Sequence, residues 1–214
     1  MKKFQYTIFL LICLMLLGYA GNAIAYTRPL PTKPIQAGAS TLGGQKPVVC
    51  IPLVGQTREE ILKEAGNVPG IAPDMIELRV DFWDFIEDTN KSVTMVREVR
   101  KIIGNVPILL TCRIVPEGGH KIVSDNAKFS LYNQVIKEKL VNLIDVELIY
   151  GPDKIQKFKK SLNKSGIGLV VSYHDMKNMP SKDVISQAME NEVMAGCILQ
   201  AQNPHFCKIF LPSR

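Results

Sequence analysis

The sequence predicts an α/β protein of the (β/α)8 TIM-barrel class, incomplete, with five clear β/α units and a sixth strand that is poorly marked. Three observations predict it. From Pro47 onward short apolar runs alternate with helix-like stretches, the pattern of a parallel sheet. No glycine-rich turn follows the first run, so the dinucleotide fingerprint of an open, doubly wound sheet is missing. Polar residues gather where the runs end: Glu77 and Arg79, Arg113 and Glu117, Asp145 and Glu147, Ser172 and His174. In a barrel that rim carries the active site.

The strands are expected at Val48–Leu53, Met75–Val80, Pro107–Cys112, Leu143–Leu148 and Ile167–Tyr173. These runs are rich in Val, Ile and Leu and lack strict polar alternation, as strands buried on both faces do. Helices are expected between them. Thr57 to Ala65 has Thr57 as N-cap. Asn90 to Ile103 puts Val93, Met95, Val96, Val99 and Ile102 near one face, and Asn126 to Leu140 does so with Phe129, Leu131, Val135 and Ile136. Asp153 to Leu162 follows, then Ser181 to Val193 with Ser181 as cap.

The chain divides into four parts. Residues 1–25 have the form of a secretory signal: Lys2 and Lys3, an apolar stretch from Ile8 to Leu17, then Ala23-Ile24-Ala25 as a cleavage pattern, with Tyr26 the expected mature start. The other reading is an uncleaved anchor, which so short an apolar core does not favour. Residues 26–46, with three prolines and little periodicity, are expected to be an exposed leader. Residues 47–196 carry the partial barrel, and 197–214 a divergent tail. The 214 residues less the 25 of the signal leave 189, short of the roughly 200–250 of a full barrel.

Without Lys2 and Lys3 the 26 basic residues fall to 24 against 20 acidic ones. So mild an excess, with no basic run interleaved with aromatics, does not argue for nucleic acid, and none is expected as partner. It suits a small anionic substrate. Cys13 belongs to the signal. Cys50 and Cys112 lie in strand-like runs and are expected as buried thiols, while Cys197 and Cys207 fall in the tail. Export permits disulfides, and no pair of cysteines has zinc-ligand spacing.

Three segments carry chemistry. In Met75-Ile-Glu-Leu-Arg-Val-Asp81 the charges Glu77, Arg79 and Asp81 share one strand face. They mark either a solvated edge or a polar substrate site. In Thr111-Cys-Arg-Ile-Val-Pro-Glu-Gly-Gly119, Arg113 offers a forked donor for carboxylates or paired hydroxyls. Gly118 and Gly119 permit a tight turn that brings Glu117 back over the barrel, although Glu117 taken alone is a surface residue. In Val170-Val-Ser-Tyr-His-Asp175, His174 is either structural or a proton carrier, and a carboxylate beside it would favour its charged form. His120 and His205 are expected at the surface.

Together with Leu143-Ile-Asp-Val-Glu147 and Pro180-Ser-Lys182, these segments closely resemble type I 3-dehydroquinate dehydratases over about Lys46 to Gly196, in the family's order. The resemblance implies a (β/α)8 barrel, usually a homodimer, needing no cofactor and no metal. It implies dehydration of 3-dehydroquinate to 3-dehydroshikimate. A strand lysine forms an imine with the C3 ketone, and a histidine removes the C2 proton and protonates the departing C1 hydroxyl. By motif match His174 takes the acid–base role, Glu117 orients it, and Glu77, Arg79 and Arg113 bind substrate.

The resemblance also implies a lysine on the sixth strand, and the continued register puts Ala201 there. Cys207-Lys-Ile-Phe-Leu-Pro-Ser213 loosely resembles the lysine segment. Either Lys208 is the imine lysine after a short insertion, or Cys197–Arg214 is an unrelated tail. In both cases the seventh and eighth strands are missing, and the expectation is poor stability and weak or absent activity. The signal implies a secreted or periplasmic protein, which suits quinate catabolism better than the shikimate pathway. The rivals are a catalytically dead binder of anionic cyclic polyols and another imine-forming barrel such as an aldolase.

Overall fold

The computed structural model describes residues 34–162, 165–176, 181 and 183, and the backbone of 198–202 and 209–212. Lys208, His205, Cys197, Cys207 and most of the expected helix after Ser181 lie outside the described residues.

Six strands pair in parallel and in chain order: β3 (Cys50–Leu53), β4 (Met75–Arg79), β5 (Ile108–Thr111), β6 (Leu143–Glu147), β7 (Gly168–His174) and β8 (Ile198–Gln202). The five expected runs are the first five of these. Helices α1 (Arg58–Ile71), α2 (Thr89–Ile103), α3 (Asp125–Lys137) and α4 (Gly151–Leu162) connect the first five. A sequential order without reversal is the winding of a barrel, not of a doubly wound sheet.

Caps set the helix starts. Thr57 and Glu60 form a capping box at α1, Asp88 accepts from the Lys91 N–H at α2, and Ser124 accepts from the Ala127 N–H at α3. Helix α1 runs beyond the expected Ala65 to Ile71. Pro69 falls in its last turn, so little of the backbone ladder is forfeited.

Successive side chains on each strand point to opposite faces, and the two faces have different fates. Ile76, Leu78, Ile108, Leu110, Ile144, Val146, Leu169 and Val171 pack with buried residues of all four helices, such as Ile61, Val96, Leu131 and Ile155, in one continuous core. The opposite face changes along each strand from apolar to polar: Met75 then Glu77 and Arg79, Leu109 then Thr111, Leu143 then Asp145 and Glu147, Val170 then Ser172 and His174. Its apolar lower part is a second cluster, and its polar upper part is the mouth of the barrel.

That lower cluster corrects one expectation. Of the expected leader 26–46, the described part from residue 34 is not simply exposed, because Ile35–Ala37 (β1) and Ser40–Leu42 (β2) form an antiparallel hairpin. Ala37 and Leu42 are buried against Met75, Leu109, Leu143 and Val170. Without the hairpin these side chains would face water at the base of the barrel. Gly38 makes the turn at φ 58, and Ser40 Oγ donates to the Asp74 carbonyl oxygen at 2.6 Å.

The end of the sheet bears on the two readings of the tail. The sixth place is filled by Ile198–Gln202, not by the Cys207–Ser213 segment. Instead Ile209–Pro212 (β9) lies antiparallel on β8. Six residues separate β8 from β9, whereas a parallel return needs about a dozen or more.

Candidate active site

The mouth is a buried charge cluster centred on Arg113, which follows β5. Its Nη1 lies 3.2 Å from Asp145, 3.7 Å from Glu147 and 3.8 Å from Glu117, and it donates to Ser172 Oγ. Ser172 in turn donates to Asp145 at 2.9 Å. Burial works against the guanidinium charge, but Asp145, Glu147, Glu77 and Glu117 outweigh it and hold the group above its ordinary range. Burial raises the Asp145 carboxyl in spite of Arg113, and Asp145 Oδ2 has no hydrogen-bond partner among the described residues.

Glu117 is a buried residue and not a surface one. The turn that carries it depends on two glycines. Gly118 adopts φ 88, and a Cβ on Gly119 would come within 2.1 Å of the Arg113 carbonyl oxygen. The turned-back carboxylate accepts the His174 backbone N–H at 3.0 Å through Oε2, and the same oxygen lies 3.0 Å from His174 Nδ1. Burial pushes the Glu117 carboxyl up to about 7, with Arg113 opposing it and Glu147 adding to it. The Glu117 carboxyl thus lies in the range where acid–base catalysts work.

Glu77 and Arg79 take the places expected on the inner face of β4, Glu77 buried and Arg79 partly so. Asp81 does not continue the strand face as expected but lies in the 3-10 turn Val80–Phe82 after β4, where it is a clamp. It accepts from Arg79 Nε at 3.0 Å and Nη2 at 2.8 Å, and from the backbone N–H groups of Arg113 at 3.2 Å and His120 at 3.0 Å. Both ends of the loop that carries Glu117 are therefore tied to one buried carboxylate. His120 is exposed as expected, stacked on Phe82 at 4.4 Å.

Two participants escaped the sequence reading. Lys128 of α3 is buried, with Nζ 2.5 Å from Glu147 Oε2. Tyr132, one turn on, donates to the Asp145 carbonyl oxygen and accepts from the Cys112 N–H. The available signal was spacing: Lys128, Leu131 and Val135 form an i, i+3, i+7 stripe. Cys112 is buried and Cys50 half-buried. Among the described residues no group of His, Cys, Asp and Glu is placed to hold a metal ion.

Of the expected residues, Glu77, Arg79, Arg113, Glu117 and His174 converge on the mouth. In β8 Ala201 pairs with Tyr173 and Gln202 with His174.

A profile of the type I 3-dehydroquinase family matches residues 49–200. The chain is 35% identical over 158 residues to a 3-dehydroquinate dehydratase of Geobacillus sp. (strain WCH70), covering 73% of this chain and 61% of that one. It is 33% identical over 151 residues to that of Clostridioides difficile (strain 630), covering 71% and 59%. It thus spans about three fifths of the length of these relatives. A solved 3-dehydroquinate dehydratase from Geobacillus kaustophilus superposes with a TM-score of 0.74 at 29% identity, over 80% of this chain and 66% of that one. The type I 3-dehydroquinate dehydratase of Clostridium difficile with covalently modified comenic acid superposes at 0.71 and 31% identity, over 74% and 63%.

Proposed function

This chain belongs to the type I 3-dehydroquinase family, and we propose that its barrel mouth dehydrates 3-dehydroquinate to 3-dehydroshikimate. The observation that carries the proposal is the single Glu117 oxygen held 3.0 Å from His174 Nδ1, beside Arg113. With Nδ1 engaged by Glu117, proton exchange with a substrate falls to Nε2. The reaction needs one group that takes the C2 proton and returns a proton to the departing C1 hydroxyl. A histidine held in place by a buried carboxylate can perform both steps. Arg113, Glu77 and Arg79 supply the polar lining for a hydroxylated anion.

An imine would supply the electron sink. The amine adds to the C3 carbonyl with loss of water, the C2 carbanion delocalises into the imine, and hydrolysis releases product and amine. Lys208 is the proposed nucleophile. It lies outside the described residues, but Ile209, the next residue in the chain, pairs with Ala201 at the mouth end of β8.

Ala201 favours a second reading, a binder of anionic cyclic polyols without catalysis, because alanine stands beside Tyr173 where the resemblance asks for lysine. Borohydride reduction in the presence of 3-dehydroquinate separates the two. Turnover together with a ligand-sized mass increase on Lys208 supports the dehydratase. Saturable binding with neither turnover nor mass increase rejects it and selects the binder.

Export is part of the proposal, supported by the signal-like residues 1–25. Recovery of the protein only from cytosol after fractionation would reject it. The homodimer implied by the resemblance belongs here too, and sedimentation velocity measures it.

A further inference from the structure

Five buried side chains alternate in charge across the mouth. Lys128 Nζ lies 2.5 Å from Glu147 Oε2, and Glu147 Oε1 lies 3.7 Å from Arg113 Nη1. Arg113 Nη1 lies 3.8 Å from Glu117 Oε2, which lies 3.0 Å from His174 Nδ1. No member is more than 8% exposed, so solvent screens the row far less than a surface array.

Lys128 has no part in the proposed chemistry, since it sits on a helix behind the sheet and three residues separate it from His174 along the row. Its burial still calls for a physical account. Desolvating an ammonium and a carboxylate is costly, and an apolar pair of the same volume often serves stability as well. The ring of Tyr150 at 4.8 Å offsets part of that cost. The cation does something an apolar residue would not: it answers the charge of Glu147. Glu147 can then accept the Ile114 N–H at 2.9 Å without claiming Arg113 for itself.

We infer that Lys128 is a positioning residue for the Glu117–His174 pair: by neutralising Glu147 from behind the sheet, it leaves Arg113 to Glu117 and sets the proton affinity of the pair. The inference gives the proposed dehydratase its working pH and in that sense rests on that reading.

The sign follows from the row. Without the ammonium, the uncompensated Glu147 draws on Arg113 and adds negative potential at Glu117 and His174, so the pair holds its proton to higher pH. The other charges near the pair are Glu77 and Arg79 of β4, Asp145 of β6 and Asp175 after His174; Arg79, whose Nη2 donates to the Gly118 carbonyl oxygen at 3.3 Å, is itself paired with Asp81, and the rest are acidic. Around Lys128 the remaining groups are quiet. Asp125 and Lys154 pair with each other at 2.7 Å. Burial pushes the Cys112 thiol up to about 12 and holds the Tyr132 and Tyr150 hydroxyls above their ordinary range.

The test is an NMR titration of the full chain labelled with 13C-histidine, with the His174 signal assigned by H174Q. In K128Q, which keeps a donor for Glu147 but no charge, the midpoint should rise by roughly half a unit to one unit. K128R should keep the midpoint of the unaltered chain. K128M/E147Q leaves no buried charge unpaired at this place, and it should lower the midpoint because Glu147 stands nearer the pair than Lys128 does. An unmoved midpoint in K128Q overturns the inference, and if K128Q does not fold, an unmoved midpoint in the double variant overturns it. No turnover enters the measurement. A chain without dehydratase activity can still show the shifts, and an active chain with an unmoved midpoint removes only this inference.

Discussion

Glu117 is the side chain whose chemistry the fold changes most. Its carboxyl is pushed by burial from an ordinary 4.5 to about 7. Between those values the folded chain keeps a proton that the unfolded chain has released. The stabilising contribution of this group is therefore whole below the unfolded value and is lost as pH rises through about 7. Urea melts at about pH 5 and about pH 8 measure it. Stability should fall between the two pH values by less in E117Q than in the unaltered chain, and equal losses would refute the assignment. A second prediction concerns Asp81. D81A leaves Arg79 without its buried carboxylate and frees both ends of the Glu117 loop, at a cost of about 3–5 kcal/mol by urea unfolding. Chemistry at this scale was only partly legible. Arg113 and His174 stand out because each ends an apolar run. Lys128 does not, because a helical lysine has the look of a solvated one. The role of Asp81 is hidden by distance, its backbone partners lying 32 and 39 residues along the chain.

Elements were legible where a long pattern or a cap marks them. The run Val93, Met95, Val96, Val99 fixes the buried face of α2, and Thr57 with Glu60 fixes the start of α1. The hairpin β1–β2 was not legible, because strands of three residues are too short to establish a period. What makes it form is tertiary: the inner face of the strands begins apolar, and Ala37 and Leu42 cover it. Leu42 is 4% exposed, so L42A should cost about 2–3 kcal/mol, toward the low end for a buried leucine because a short hairpin can settle into the space. Thermal melting or urea unfolding checks this. A change within about 0.5 kcal/mol, as at an ordinary surface site, would mean that the hairpin does not seal the base.

At the scale of the molecule, the parallel order was legible because runs apolar on both faces specify strands covered by helices outside and by one another inside. The antiparallel β9 was not, since Ile209–Pro212 has the same composition whichever way it runs and only the short connection decides. The strand-ordered layout has a thermodynamic consequence. Side chains of the mouth come from β4, β6 and β7, from the loop after β5 and from α3, so a ligand there touches groups from residue 77 to residue 174. Such a ligand binds the folded sheet and not the unfolded chain. At a concentration about a hundredfold above its Kd it adds about 2.7 kcal/mol, which for a chain of this size corresponds to a rise in Tm of roughly 5–10 °C. Differential scanning calorimetry with 3-dehydroquinate should show one transition moving upward as ligand is added. R113K keeps the charge among Asp145, Glu147 and Glu117 but loses the fork, so the rise at equal ligand should shrink while the unliganded melt changes less. A transition that stays put at every ligand concentration, in a chain that melts cooperatively, would show that the charged mouth does not bind this substrate.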